Sequence, residues 1–344
     1  MAAMIQSTGF LPLLAAGTLA FAVLMYVVLD GTDLGVGILF LTKPTAAQRE
    51  MMVDSILPVW DGNETWLVLG GGGLIAMFPL AYAVFLSALY PVFFAMLLAL
   101  IFRGMAIEFR EHTDERRKPS CDAAMFAGSL LSAVCQGVLL GALIEGVHIA
   151  RDQYAGGWLD WLTPFTVFCG IGLSIGYAWL GACWLMWRTE GALHRRARRV
   201  AVWLAVLTAL ATLGVCVWTP LLNSTYLNRW FGASHRWQAA IVVVAYLTNA
   251  IAFWRAVRGH RQFAPLATAL GWFVLSFFCV LATVFPLILP PSLTVRDAAA
   301  PHSTLSFVLS GSAVLIPAIL AYSTFSFWVF RGKVKPRSGS AARG

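Results

Sequence analysis

Leu57-Pro58-Val59-Trp60-Asp61-Gly62-Asn63-Glu64-Thr65-Trp66, running into four glycines at 70–73, sets two acids, an amide and two tryptophans at the head of a long apolar run. No charged residue follows until Arg103. An ionisable group in hydrocarbon costs about 2.5–3.5 kcal/mol on insertion scales, so such groups face a protein interior or a water path. The reading of this stretch decides whether the chain folds as a membrane bundle with a polar seam.

The composition answers the first part. The 344 residues are 59% hydrophobic and 12% charged, and apolar runs of about 20 residues recur along the whole length. This pattern is that of an all-α, polytopic membrane protein, and it excludes a water-soluble globule. The net charge of +8 does not point to nucleic acid, because Lys and Arg cluster in short segments between apolar runs, as cytoplasmic loops do. Residues 1–42 contain no Lys or Arg, so no charged region of a secretory signal is present there. The six cysteines form no CxxC pair, and all but Cys121 lie in apolar runs, where they act as small hydrophobes.

Working outward, the spacing predicts nine transmembrane helices near 10–40, 51–76, 80–108, 122–146, 161–187, 199–222, 237–257, 264–288 and 304–330. A basic, Gly/Ser-rich tail follows at 331–344. The uncharged stretch 66–102 is too long for one span, and Phe78-Pro79 is its expected break. With nine spans and the C-terminus inside, 20 Lys and Arg fall on the inner side and 4 on the outer. An eight-span alternative that leaves 30–65 outside gives 18 against 6, a weaker asymmetry. The nine-span reading places Asp61 within a span and the N-terminus outside.

The first helix ends in Asp30-Gly31-Thr32-Asp33-Leu34-Gly35-Val36-Gly37. Gly31 and Gly35 share a face and permit close helix approach. On the second helix Asp54 and Asp61 are seven apart, and Asp61 and Glu64 three apart, so one flank reads as a polar seam. Asp61 with Trp60, Asn63 and Glu64 is a candidate proton-relay element, with Trp66 packing beside it. Equally, these residues are a buried polar network that pins two helices. Asp30 and Asp33 extend the relay, against a plainer helix-end capping or turn role that the surrounding glycines favour for Asp33. Glu108, Arg110 and His112 form a candidate inner entrance, against the plainer view of a solvated helix end. All six histidines fall near expected helix ends or in loops, and no CxxCH motif occurs, so no haem or metal is expected to be ligated by this chain.

Several blocks carry a resemblance. Leu29-Asp30-Gly31-Thr32-Asp33-Leu34-Gly35-Val36-Gly37 resembles the first-helix signature of subunit II of the cytochrome bd quinol oxidases. Trp60-Asp61-Gly62-Asn63-Glu64-Thr65-Trp66-Leu67 with the glycine run resembles that family's second signature. Glu190-Gly191-Ala192-Leu193-His194, and Phe285-Pro286 with Ser292-Leu293-Thr294 and Asp297-Ala298, are similar to two later blocks in the right order. The short length resembles the cyanide-insensitive branch.

The resemblance implies two four-helix bundles plus a peripheral helix in a bacterial cytoplasmic (inner) membrane. It implies a partner subunit I that carries haems b558, b595 and d, and a complex that oxidises membrane quinol and reduces O2 to water. A small single-helix subunit and a bound quinone are left open by it. The family's second-helix aspartate, linked to a proton route, falls on Asp61, its first-helix aspartate on Asp30, and an acid at the inner end of the third helix on Glu108. His112 stands where some relatives carry lysine, and Glu64 where some carry glutamine. Two rival readings remain: an ion-coupled membrane transporter, and a purely structural scaffold for haem assembly. The transporter would show paired broken helices in inverted repeats, whereas the sequence shows one acid-rich interrupted segment.

Overall fold

In the computed structural model the described residues are 9–232 and 236–334. His235 and most of the expected basic tail lie outside them. The described residues form twelve α-helices: α1 Phe10–Ile38, α2 Ala46–Ile56, α3 Trp60–Met77, α4 Pro79–His112, α5 Lys118–Glu145, α6 Pro164–Arg188, α7 Gly191–Leu222, α8 Ser224–Phe231, α9 Arg236–Arg258, α10 Ala264–Val284, α11 Val295–Ala298 and α12 His302–Val329. Two small antiparallel pairings, β1 Ile149–Ala150 with β2 Gln153–Tyr154 and β3 Leu287–Leu289 with β4 Leu293–Thr294, lie in connections.

Helices α1, α3, α4 and α5 pack as one bundle, and α6, α7, α9 and α10 as a second. Helix α12 lies outside both, against α1 and α3. The bundles meet where α6 packs against both α1 and α5, and at the α1–α6 contact the glycines decide the distance. A Cβ added to Gly35 would stand 1.8 Å from the Tyr177 carbonyl oxygen, and one added to Gly181 would stand 2.3 Å from the Gly35 carbonyl carbon. Backbone rests on backbone there, as small residues allow between membrane helices.

The expected helix 51–76 is two helices. Pro58 has no N–H to give the Asp54 carbonyl, so α2 stops at Ile56 and α3 begins anew at Trp60. Asp54 and Asp61, expected on one helix face, therefore sit on separate helices. A Thr45–Gln48 capping box starts α2. The expected loop 188–199 is also shorter than read. Glu190 and Gly191, the latter at φ 66°, turn the chain, and α7 is helical from Gly191 through its arginines. Helix α10 ends at Val284 rather than near 288, because the chain passes into β3.

Among the described residues, eight helices are long and apolar enough to cross a membrane: α1 (with the 3-10 turn Leu39–Thr42), α4, α5, α6, α7, α9, α10 and α12. Helix α3, with Asp61 and Glu64 at its head, is not among them, although its 18 residues rise about 27 Å. It nevertheless runs between the two ends of the molecule. Near its head, the Trp60 ring packs against α4 at Gly104, and at its tail the Met77 carbonyl accepts from Ala300 N–H.

Those ends are distinct. One gathers α2, the close of α4, the start of α5, and the α6–α7 and α9–α10 turns. It is tied by Arg49–Asp122 at 3.0 Å, Arg110–Asp122 at 2.7 Å, Lys118–Glu50 at 3.2 Å and the Trp187–Phe263 ring contact. The chain past α12 is strapped to the same end: Val334 N–H donates to the Arg188 carbonyl, and Arg188 donates to the Phe330 carbonyl. The opposite end holds both β pairings, α8 and α11, with Val147 N–H donating to the Pro290 carbonyl.

Candidate functional site: a buried charged seam

The seam forms because α1 carries its acids into the bundle. Every residue of α1 from Asp30 to Ile38 is buried. Asp30 and Asp33 are 0% and 1% exposed, a placement that requires partners. Arg103 on α4, itself 1% exposed, supplies one: its Nη2 donates to Asp30 Oδ1 at 2.7 Å. The same nitrogen stands 3.3 Å from Glu64 Oε1 on α3, an ion pair without hydrogen-bond geometry. Asn63, also buried, donates from Nδ2 to Asp33 Oδ2 at 2.7 Å. One arginine thus joins α1, α3 and α4, and an amide joins α3 to α1 a second time.

One turn back along α1, further polar side chains are bonded in series. The Tyr177 hydroxyl donates to Gln136 Oε1 at 2.7 Å, and Gln136 Nε2 donates to the Tyr26 hydroxyl at 2.9 Å. Tyr26 lies one helical turn before Asp30 on α1. The Tyr177 ring fills the space that Gly31 leaves, since a Cβ there would come within 2.5 Å of the ring. Gly31 and Gly35 therefore both serve the α1–α6 contact.

The flanking tryptophans hold the seam in place. A Cβ added to Gly104, the neighbour of Arg103, would meet the Trp60 ring at 3.2 Å, so that indole lies against α4. Trp66 is fully buried, edge-on to Phe21 at 5.7 Å and packed with residues of α12.

Asp61 occupies the first turn of α3 and is exposed, one turn from Glu64, whose side chain is 27% exposed. The structure thus brings together Asp30, Glu64, Asn63 and Trp60 around Arg103, with Asp61 at the surface of this group. Glu108 and His112 are exposed at the end of α4, where the His112 ring nitrogen contacts the Glu108 carbonyl at 3.3 Å. They stand apart from the seam. The charge cluster at that end is instead built on Asp122, between Arg49 and Arg110. Asp33 was weighed beside Asp30 in the sequence, whereas Arg103, Tyr26, Gln136 and Tyr177 were not among the residues expected from it. Only Arg103 had a signal there, as the first cation at the close of the uncharged run.

Among the described residues no group of three or more His, Cys, Asp or Glu is gathered as a metal-binding cluster. The five described histidines are all at least partly exposed, at helix ends or in turns.

Two helical bundles joined through glycines, with a charged seam buried beside one end, define a polytopic membrane subunit whose fold matches a bd oxidase chain. That chain, from "The structure of bd oxidase from Geobacillus thermodenitrificans", aligns with a TM-score of 0.79 at 17% identity, covering 93% of this chain and 98% of its own. The sequence profile of cytochrome bd terminal oxidase subunit II matches residues 11–330, and the chain belongs to that family. It is 31% identical over 348 aligned positions to cytochrome bd-I ubiquinol oxidase subunit 2 of Escherichia coli (strain K12), covering 90% of this chain and 91% of the relative. It is 28% identical to cytochrome bd ubiquinol oxidase subunit 2 of Bacillus subtilis (strain 168), covering 89% and 91%. The chain is accordingly a multi-pass membrane subunit of a respiratory quinol oxidase complex that contains haem, and its partner is subunit I.

Proposed function

We propose that this chain is the non-catalytic but obligatory subunit of the oxidase, and that it supplies a proton path from the inner side. The observation that carries this reading is the Asp30–Arg103–Glu64 group, set on three helices beside the basic end of the molecule. Asp30 and Arg103 neutralise each other at 2.7 Å with both side chains out of solvent, which suits a fixed electrostatic lock. Glu64 is held less closely and is partly exposed, and Asp61 lies at the surface one turn away. These two carboxylates are the groups placed to take and pass protons, with Glu108 and His112 at the inner rim as the entrance.

Haems b558, b595 and d, held by subunit I, supply the electron transfer and O2 chemistry. This chain shapes their surroundings and delivers protons for water formation. Protons taken from inside, with quinol protons released outside, make turnover electrogenic without a pump. Nine crossings, counting α3, put the N-terminus outside and the C-terminus in the cytoplasm of a bacterial cell. Ubiquinol, named for the relatives, is the corresponding substrate of the complex.

Purification of this chain with and without subunit I tests the assignment. Haem bands in the visible spectrum are expected only when the second large chain is present. Stoichiometric haem in this chain alone contradicts the reading. The scaffold alternative draws on the same buried lock. Single substitutions of Asp61, Glu64 and Asp30, with haem content measured separately from turnover, distinguish the two.

A further inference from the structure

At the basic end an open cavity of about 520 Å³ lies between the turn after α1 and the start of α7. Thr42, Gln48, Arg195, Arg196, Arg199 and Val200 line it, with Ala192 beside them, so its wall carries three guanidinium groups and no carboxylate. Arg196 Nη1 donates to Gln48 Oε1 at 3.3 Å, which fixes one guanidinium across the gap between α7 and α2. The nearby acid of α2, Glu50, faces Lys118 instead, at 3.2 Å.

The cavity also has a direction. Arg195, Arg199, Trp203 and Leu207 follow at four-residue intervals on α7, so they form one strip along the helix. Trp203 is 70% exposed, and Leu207 and Leu210 beyond it are exposed as well. Cationic heads thus give way to an interfacial indole and then to apolar side chains, the order met on descending from headgroups into hydrocarbon. A planar guanidinium binds phosphate oxygens in pairs, and basic pockets between membrane helices on the cytoplasmic side suit anionic headgroups.

We infer that this cavity binds the phosphate of an anionic phospholipid of the inner leaflet, whose acyl chains lie along Trp203, Leu207 and Leu210. A soluble phosphate would use the same arginines but gain nothing from the apolar strip. The site is separate from the proton path and does not depend on it. Only the choice of leaflet rests on the proposed orientation.

The test uses the purified two-subunit complex, delipidated and returned to phosphatidylcholine bilayers with or without phosphatidylglycerol. Phosphatidylglycerol retained per complex is read by native mass spectrometry, and thermal stability is followed in parallel, with inorganic phosphate as a separate arm. Wild type is expected to retain phosphatidylglycerol and to melt higher with it, and inorganic phosphate is expected to do neither. Affinity is expected to fall about fivefold for each arginine lost in Arg195→Gln and Arg199→Gln, with haem bands unchanged. Both residues are exposed, and the single Arg199→Gln variant gives the same reading should the double variant lack haem. Unchanged retention in these variants overturns the site. Stabilisation by inorganic phosphate equal to that by phosphatidylglycerol overturns the lipid as its occupant.

Discussion

Arg103 is the residue on which the seam turns. Removing it leaves Asp30 and Glu64 facing each other's charge inside the bundle. Breaking one side of a buried pair costs about 3–5 kcal/mol, more than replacing both partners by neutral groups. Arg103→Gln is therefore expected to lower the melting temperature and haem content of the complex sharply. Asp30→Asn combined with Arg103→Gln should recover part of the loss, and a double-mutant cycle measures the coupling. Equal, additive losses would show that the pair is not a unit. The acids were legible in the sequence because acids in an apolar chain stand out. Their partner was less so. Arg103 borders the uncharged run and looks like a helix end in water, but α4 continues to His112, which draws that position into the bundle. The Asp33–Asn63 and Tyr26–Gln136–Tyr177 contacts join residues distant in sequence, and no local spacing encodes them.

At the scale of elements, the contact between α1 and α6 is set by missing side chains. A Cβ at Gly35 would press into the Tyr177 carbonyl at 1.8 Å, where backbone cannot yield as a side-chain end can. Overpacking of this kind costs about 1–3 kcal/mol or more. Gly35→Ala should lower the thermal midpoint of the complex. Gly17→Ala on the same helix, where no atom lies within 4 Å, should leave it unchanged or slightly higher. Equal midpoints for the two variants would sink the close-contact account. Long apolar helices were plain from composition, and the glycine spacing already indicated a close-packed face. Two features were not plain. Pro58 divides what reads as one continuous helix. The arginines of the 188–199 segment read as loop, although their spacing is equally that of a helix rising into the membrane.

For the molecule as a whole, sidedness follows from which segments meet. The segments expected inside, up to the strap at Val334, converge on one end, and the β pairings gather at the other. With nine crossings a cysteine placed at exposed Asp152 is expected to react with a membrane-impermeant maleimide in intact cells. One placed at exposed Arg117 should react only after permeabilisation. The reverse pattern would invert the topology, and labelling of both in intact cells would break it. The nine-span reading counts α3, which begins with two acids and is not among the eight described helices apolar enough to cross a membrane.

The same helix carries the central claim, that exposed Asp61 passes protons toward the Arg103 group rather than merely holding the fold. Quinol-driven O2 consumption by purified Asp61→Asn complex, recorded beside its haem spectrum, tests this most directly. Turnover is expected to fall by about ten- to a hundredfold, a loss in keeping with removal of a proton-transfer group, while the haem bands keep wild-type intensity. Wild-type turnover with wild-type haem would contradict the proton path at Asp61, and loss of haem in step with turnover would leave the residue a structural role.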